Sequence, residues 1–573
     1  MIVMSQTAPR RHAISTYDFE WRTHEYKSRK RSEVATLGLI CAGAFDERGY
    51  RAYSNLEEFL AGELTTENSG RRFYAHFGGA SDMVFLIRAL AKREYEIKAI
   101  FSGSSAIVVI VRDDVGRSWM FLDSYWTMRV PLAVIGDWIG DAKQAFDVRA
   151  EHSLAEWHDY NRQDCRLLWL ALCRFQDTIN DRGAELRVTG ASTALDLFLR
   201  RYLKKPIHNS ERVDAYVKPS YCSSRVERIE ETMGNGYCWD INSSFPYSMT
   251  FPCPGSMLGA STRIPDKGLW VADVEVSVPH QWLPPLPYRG DDNRVFFPVG
   301  KWRTRITSED LACGDFQIGK VYSCWTFEER DDLAAFASDL YSLRALGGFE
   351  GQTFKIVLNS LYGKFAEQPE KESILIRPSK VPLHAQAIAP HIYMVEETKE
   401  VPHSHVAISS LITARSRRIL RKRALDAYQR SGFVAYLDTD SVFTTATFEE
   451  SKQLGGMKLE ATIVKGEFHA AKFYTYQKQG GSELVKAKGF SRVVSEAGGE
   501  QRLTYDDFCR LKNGEEMTVT RMRRIRELVR EHKGFDFEPE VVKMVKRLRN
   551  PMPKRKPQNS GSSVPWEVGE LCE

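Results

Sequence analysis

The stretch Tyr436-Leu-Asp-Thr-Asp-Ser-Val-Phe443 leaves its part of the chain few ways to fold. The β-prone residues Val434, Leu437, Val442 and Phe443 flank a turn-forming Asp-Thr-Asp, which predicts a tight hairpin with Asp438 and Asp440 aimed to one side. Two carboxylates so close repel each other unless a divalent cation or a basic partner stands beside them. Taken alone, Asp-Thr-Asp is also ordinary turn chemistry, so the rest of the chain must decide.

A chain of 573 residues exceeds what a single core serves and predicts several domains. Its 43% hydrophobic and 27% charged residues are ordinary for a globular protein, and no uninterrupted apolar run reaches membrane-crossing length. Met1 to Thr16 carries Arg10 and Arg11 but no long apolar region, so a cytosolic protein without a secretory signal is expected. The ten cysteines include no Cys-x-x-Cys pair, which argues against a zinc ribbon, an iron–sulfur cluster or a disulfide framework. The net charge of +5 is small but uneven, with Lys and Arg dense from Arg521 to Lys556, an asymmetry that suits a polyanion-binding protein.

In chain order, Thr16 to Trp21 reads as a strand with Asp18 and Glu20 on one face, followed by a strand at Val34 to Gly43. Phe73 to Phe77 forms another and runs through Gly78-Gly79 into a helix from Ser81 to Lys92, with Asp82 in its first turn. Strands follow at Ala99 to Val111 and Ser118 to Leu122, and a later helix presents Tyr160 and Asp164 at i, i+4 on one face. In this order the three stretches resemble the exonuclease motifs of family B DNA polymerases. The resemblance implies a ribonuclease H-like 3′–5′ exonuclease domain over residues 1–188, with Asp18, Glu20, Asp82 and Asp164 at a two-metal site and Tyr160 orienting the attacking water. The family carries an Asn four residues before the second-motif Asp and a Phe just before it, where this chain has Gly78 and Ser81. His76, Phe77 and Ser124 are left to hold single-stranded DNA, and a weakened grip is expected.

Gly236 to Tyr247 resembles polymerase motif A, which implies Asp240 and the carbonyl of Ile241 as metal ligands, Ser243 and Ser244 at the triphosphate, and Phe245 under the incoming sugar. Phe354 to Lys364 resembles motif B; on a helix Lys355, Asn359 and Tyr362 fall at i, i+4, i+7 and make one polar and aromatic stripe that Gly363 follows. Arg417, on a basic helix from Ile408 to Tyr428, is within reach of the triphosphate in this reading. The Asp438–Asp440 hairpin becomes motif C, and Ala471-Lys-Phe-Tyr474 resembles the Lys-x-Tyr motif, so Lys472 and Tyr474 are assigned to the primer end with Lys488 nearby. Tyr221-Cys-Ser-Ser224 stands where protein-primed members have Tyr-x-Gly-Gly, with serines in place of the glycines.

The resulting map places a linker and the start of a palm at 189–254, an insertion at 255–345, fingers at 346–430 with a second insertion at 366–405, palm at 431–495, and a thumb with a basic tail at 496–573. Thr518 to Leu548 reads as two helices and 550–568 as flexible. The resemblance, closest to the protein-primed subgroup of phages and linear plasmids, implies a right-hand DNA polymerase with proofreading that starts from a terminal protein and displaces strands. Its expected cofactor is Mg2+, two ions per active site with Mn2+ able to substitute, and its expected partners are primer–template DNA and deoxynucleoside triphosphates. A monomer is expected, in the host cytosol if viral or in an organelle if from a linear plasmid. The alternatives are a primer-independent family B polymerase, or an exonuclease or DNA-binding protein with a silent polymerase fold.

Overall fold

The computed structural model describes residues 8–571 apart from 30–31, 208–209, 369, 399–400, 491–492, 495–499 and 549–551. In the N-terminal part, β1 (Ile14–Thr23), β2 (Ser32–Asp46), β3 (Arg72–Ala75), α1 (Asp82–Ala91), β4 (Glu96–Ser102), β5 (Ser105–Arg112), β6 (Ser118–Asp123) and α2 (Leu154–Asn180) follow in order. Strand alternation splits β1, so that Tyr17 and Phe19 join α1 in one core while Ile14 joins α2 in another. The two helices therefore cover opposite faces of a mixed sheet, in which β1 runs parallel to β3 and antiparallel to β2. A capping box of Ser153 and Glu156 starts α2. The single strand expected over Ala99 to Val111 is instead a hairpin, because Gly103 at φ 60° reverses the chain between β4 and β5.

The second half begins with β7 (Val226–Arg228), β8 (Gly236–Ile241) and α3 (Ser244–Met249). The first insertion builds its own four-stranded sheet from β9 (Cys253–Ser261), β10 (Leu269–Val278), β11 (Gly300–Thr307) and β12 (Gln317–Arg330). Helices α4 (Asp332–Arg344) and α5 (Gly348–Ser360) precede the second insertion, which contributes β13 (Glu370–Ile376), β14 (Gln386–Ala389) and β15 (Ile392–Thr398). The long helix α6 (Val406–Ser431) leads to β16 (Val434–Asp438), β17 (Ser441–Thr444), β18 (Met457–Ala470), β19 (Phe473–Lys478) and β20 (Glu483–Ala487). The palm sheet runs β20-β19-β18-β8-β17-β16-β7, which sets the motif A strand β8 beside the motif C hairpin β16–β17.

The C-terminal segment corrects the expectation of two helices: it is β21 (Glu516–Met522), α7 (Ile525–His532) and β22 (Glu540–Arg547). β22 pairs with β2, and at the opposite end of the same sheet β13 pairs with β4. The second insertion, the nuclease strands and the C-terminal hairpin thus form one continuous 15-stranded sheet. Ile374, Ile376 and Ile392 from the insertion, and Leu528, Val529 and Phe537 from the C-terminus, share one core with Tyr17 and Phe73. Burying each such aliphatic side chain is worth about 1.5–3 kcal/mol, so removing 370–400 would unseat the nuclease core itself. In packing terms 370–398 and 516–547 belong with 1–188.

The tail expected to be flexible is packed where it is described. Arg555 is 1% exposed and donates to the Trp282 carbonyl at 2.9 Å, and the Trp566 carbonyl accepts from the Val299 amide at 2.9 Å. Asn550, at the start of that stretch, and Ser491 and Arg492, at the end of the basic stretch that begins at Lys486, lie outside the described residues.

Candidate active sites

In the nuclease half, β1 carries Asp18 and Glu20, the start of α1 carries Asp82 and α2 carries Asp164, and the four carboxylates converge. Asp82 accepts from the Phe19 amide at 3.0 Å and from Ser81 Oγ at 2.8 Å, which ties α1 to β1. Asn161, one position past Tyr160 on α2, donates to the Asp18 carbonyl at 3.0 Å and its carboxylate at 3.2 Å. Burial holds Asp18 well above the usual carboxylate range, with the charges of Glu20, Asp82 and Asp164 adding to the effect. Burial likewise pushes Glu20 up to about 7 and Asp82 up to about 6. Asp164 Oδ1 is buried without a partner, beside a cavity of about 150 Å3 lined by Asp18, Lys143 and Asp164.

Lys143 was not found from the sequence. It donates to Tyr160 OH at 2.9 Å and pairs with Asp164, so the tyrosine and carboxylate of one helix face are bridged by a cation from the preceding loop. No local spacing could reveal that contact.

The expected holders of the single strand are mostly occupied. Ser124 is fully buried and donates to the Ala75 carbonyl at 2.9 Å, so it cannot reach a DNA strand in this conformation. His76 bridges Ser124 Oγ at 2.9 Å and the Val130 carbonyl at 2.8 Å, and burial pulls its pKa down to about 4, leaving it neutral. Phe77 is the exposed member, 48% accessible, with its ring centroid 4.2 Å from that of Tyr125. That pair offers a stacking surface, of which Phe77 is the member expected from the sequence and Tyr125 the addition.

In the palm, the hairpin is as expected, with Thr439 at φ 67° in the turn between β16 and β17. Asp438 ends β16 and Asp440 sits in the turn, so turn geometry rather than strand alternation brings the two together. The Ile241 amide donates to the Asp440 carbonyl at 2.9 Å and Ser441 Oγ donates to Asp240 at 2.9 Å, locking motif A to motif C. Burial pushes Asp240 up to about 6, and it pushes Asp440 up to about 7 with the charges of Asp240 and Asp438 contributing. Asp438, 3% exposed, is engaged by Lys472, by Tyr474 OH at 3.1 Å and by Lys486 at 3.7 Å. Lys486 is thus the basic residue of its strand that faces the hairpin, while Lys488 lies exposed in the turn beyond it.

Lys355 and Asn359 are exposed on α5, and Tyr362 follows in a short 3-10 segment. The Tyr362 ring stacks on Phe245 at 4.1 Å and 16°, and both line a cavity with Tyr221, Thr439 and Lys472. Gly363 is exposed beside a second groove that Lys355 and Asn359 also line.

Two nucleotide assignments change. Ser244 is 1% exposed and its hydroxyl pairs with Ser416 at 2.9 Å, so of the two serines only Ser243, at φ 49°, faces the site with its side chain. Arg417 is 3% exposed, donates to the Cys222 carbonyl at 2.8 Å and pairs with Asp310 at 3.2 Å. It braces α6 against the linker and the first insertion and does not reach toward a triphosphate. Arg344, at the end of α4, donates to Ser243 Oγ at 3.1 Å and so stands beside the motif A turn.

Among the described residues no three His, Cys, Asp or Glu side chains already stand at ligating spacing for a metal. The chemistry of both sets still fits divalent cations: burial and the neighbouring carboxylates raise Asp18 and Asp440 even with Lys143, Lys472 and Lys486 close to their sets.

A palm whose carboxylates meet at a hairpin, joined to a ribonuclease H-like domain with its own carboxylate cluster, defines a DNA polymerase that carries an exonuclease domain. Residues 142–422 match the family described as DNA polymerase type B, organellar and viral. The chain is 24% identical over 515 residues to the DNA-directed DNA polymerase of Enterobacteria phage PRD1, covering 85% of this chain and 87% of that protein. It is 27% identical over 389 residues to a probable DNA polymerase of Neurospora intermedia, of which it spans 39%. Phi29 DNA polymerase complexed with primer-template DNA and incoming nucleotide superposes with a TM-score of 0.68 at 19% identity, over 88% of this chain and 96% of that one. The chain is a DNA-directed DNA polymerase whose residues 142–422 resemble the organellar and viral type B family.

Proposed function

We propose that this polymerase starts strands on the hydroxyl of a terminal protein, extends them with strand displacement, and proofreads 3′ ends in its nuclease domain. The observation that carries the synthetic half is the locking of Asp240 to the Asp438–Asp440 hairpin, whose Thr439 lines one cavity with the Phe245–Tyr362 stack. Asp240, the Ile241 carbonyl and Asp438, supported by Asp440, would hold two Mg2+ ions in the palm, and Asp18, Glu20 and Asp164, with Asp82, would hold two in the nuclease. Bound there, the cations supply positive charge at the reacting phosphate and acidify the attacking oxygen.

The chain's own residues do the rest. Lys355 and Arg344 neutralise the triphosphate, Tyr362 and Phe245 shape the sugar pocket, and Lys472, Tyr474 and Tyr221 steady the primer–template end. In the nuclease, Lys143 holds the Tyr160 hydroxyl beside Asp164 so that the phenol can orient water. In this reading primer–template DNA and deoxynucleoside triphosphates occupy the palm, and the chain works as a monomer in the host cytosol. Among the described residues no helix is long and apolar enough to cross a membrane.

Phe245→Val opens space for a ribose 2′-hydroxyl, so the variant is expected to incorporate ribonucleotides about tenfold or more readily relative to deoxynucleotides. Single-nucleotide insertion kinetics with both sugars measure it, and unchanged selectivity moves the gate elsewhere. Protein priming is tested by incubating the enzyme with the candidate terminal protein of the same replicon and labelled deoxynucleotide. A covalent protein–nucleotide adduct that needs Asp438 is expected. Extension of DNA primers with no adduct under Mg2+ or Mn2+ would remove terminal-protein initiation from the reading.

A further inference from the structure

β18 pairs antiparallel with the motif A strand β8 and carries a defect at the catalytic end. Cys238 pairs with Ala461 and Trp239 with Leu459, so Glu460 is an extra residue in a β-bulge, and the register then sets Lys458 directly opposite Asp240. Trp239 and Leu459 pack together into the core on one face of the sheet, whereas Cys238 and Ala461 share the core on the other, the face of Asp240. A bulge re-aims side chains at a functional edge. Here it brings Lys458 and Glu460 to the same side, where they pair at 2.6 Å with both side chains exposed.

Lys458 is then the third cation around one short turn. Arg344 reaches Ser243 from α4, Lys355 projects from α5, and Lys458 comes from β18. Lys458 stands opposite Asp240, three residues before the Ser243 that Arg344 contacts, and partial desolvation together with the charges of Arg344 and Lys458 lowers the Lys355 pKa. Cations held together against mutual repulsion and facing solvent make a seat for a multiply charged anion, and the neighbouring carboxylates exclude one that arrives without its own cations.

We propose that Lys458 grips the terminal phosphates of the incoming nucleotide, and pyrophosphate in the reverse reaction, and that Glu460 holds its ammonium while the site is empty. The inference rests on the reading of this palm as the site of synthesis. Lys458 trades the Glu460 carboxylate for a phosphate oxygen, so the exchange replaces one charge-assisted hydrogen bond by another. No bond to the reacting phosphorus involves Lys458; it is a binding residue.

The test is steady-state primer extension with wild type, Lys458→Ala, Lys458→Arg and Glu460→Gln. Lys458→Ala should raise the KM for deoxynucleotide about tenfold or more with kcat little changed, the signature of lost binding shared by ground and transition states. Pyrophosphorolysis at limiting inorganic pyrophosphate should fall in parallel, and Lys458→Arg should recover most of both. Glu460→Gln, which frees Lys458, should lower the KM. Nuclease activity on single-stranded DNA, unchanged in all four proteins, verifies folding. An unchanged KM in Lys458→Ala beside a working wild type overturns the inference alone, and a collapse of kcat in Glu460→Gln overturns the holding role of that carboxylate. A wild type that extends no primer overturns the site assignment together with it.

Discussion

Asp438→Asn lowers primer extension by about a thousandfold or more, because a metal-binding carboxylate of the palm accounts for several kcal/mol of transition-state stabilisation. The side chain keeps its shape, so the loss is one of charge. The amide cannot offset Lys472 and Lys486, which now converge on Asp438 with Tyr474. Degradation of single-stranded DNA by the same preparation stays at the wild-type rate, since the nuclease carboxylates lie on another sheet and the helices that cover it. Extension at the normal rate would show that Asp438 is not where synthesis occurs.

Asp18→Ala combined with Asp164→Ala removes 3′–5′ hydrolysis to background while polymerisation continues. The loss should be on the order of a thousandfold, measured on labelled single-stranded DNA at saturating substrate. A second readout concerns stability. Glu20 is held at about 7 and Asp82 at about 6 in the fold, above the usual carboxylate values near about 4. The folded cation-free protein therefore keeps protons that the unfolded chain has released, and its stability falls as pH rises from about 4 to about 7. Mg2+ should raise the melting temperature of the wild type more at pH 8 than at pH 5, and much less in the double variant. Equal shifts in both proteins would mean that the carboxylates do not bind the ion.

The residues that chemistry places next to one another in sequence were legible in part: Asp240 at the end of a strand and the tight hairpin at Asp438 stand where their local patterns put them, whereas the helix that carries Lys355 and Asn359 ends at Ser360, before Tyr362 and Gly363. What was not legible came from distant pairing. Arg417 sits in a basic helix and reads as a phosphate contact, yet Asp310 and the Cys222 carbonyl claim it. Lys143 and Lys458 gain their places only through a loop folded over α2 and a bulge opposite Asp240. Thr518 to Leu548 misled because Ile525, Leu528 and Val529 do form a helical face, while Thr518-Val519-Thr520 and Val541-Val542 on either side are β-branched runs that belong to strands.

The pairing of β22 with β2 also sets an order of events as the chain is made. β2 leaves the ribosome early and its partner strand late, an interval on the order of 25–100 s at about 5–20 residues per second. Until then the nuclease sheet has one unfinished edge at β2 and another at β4, which waits for β13. Open edges invite pairing with other nascent chains. An N-terminal fragment ending near residue 188 would keep those edges permanently, lacking the aliphatic side chains that the later segments bring to its core. The editing half of this enzyme therefore matures after the synthetic half has emerged, and the two activities arise in one folding event.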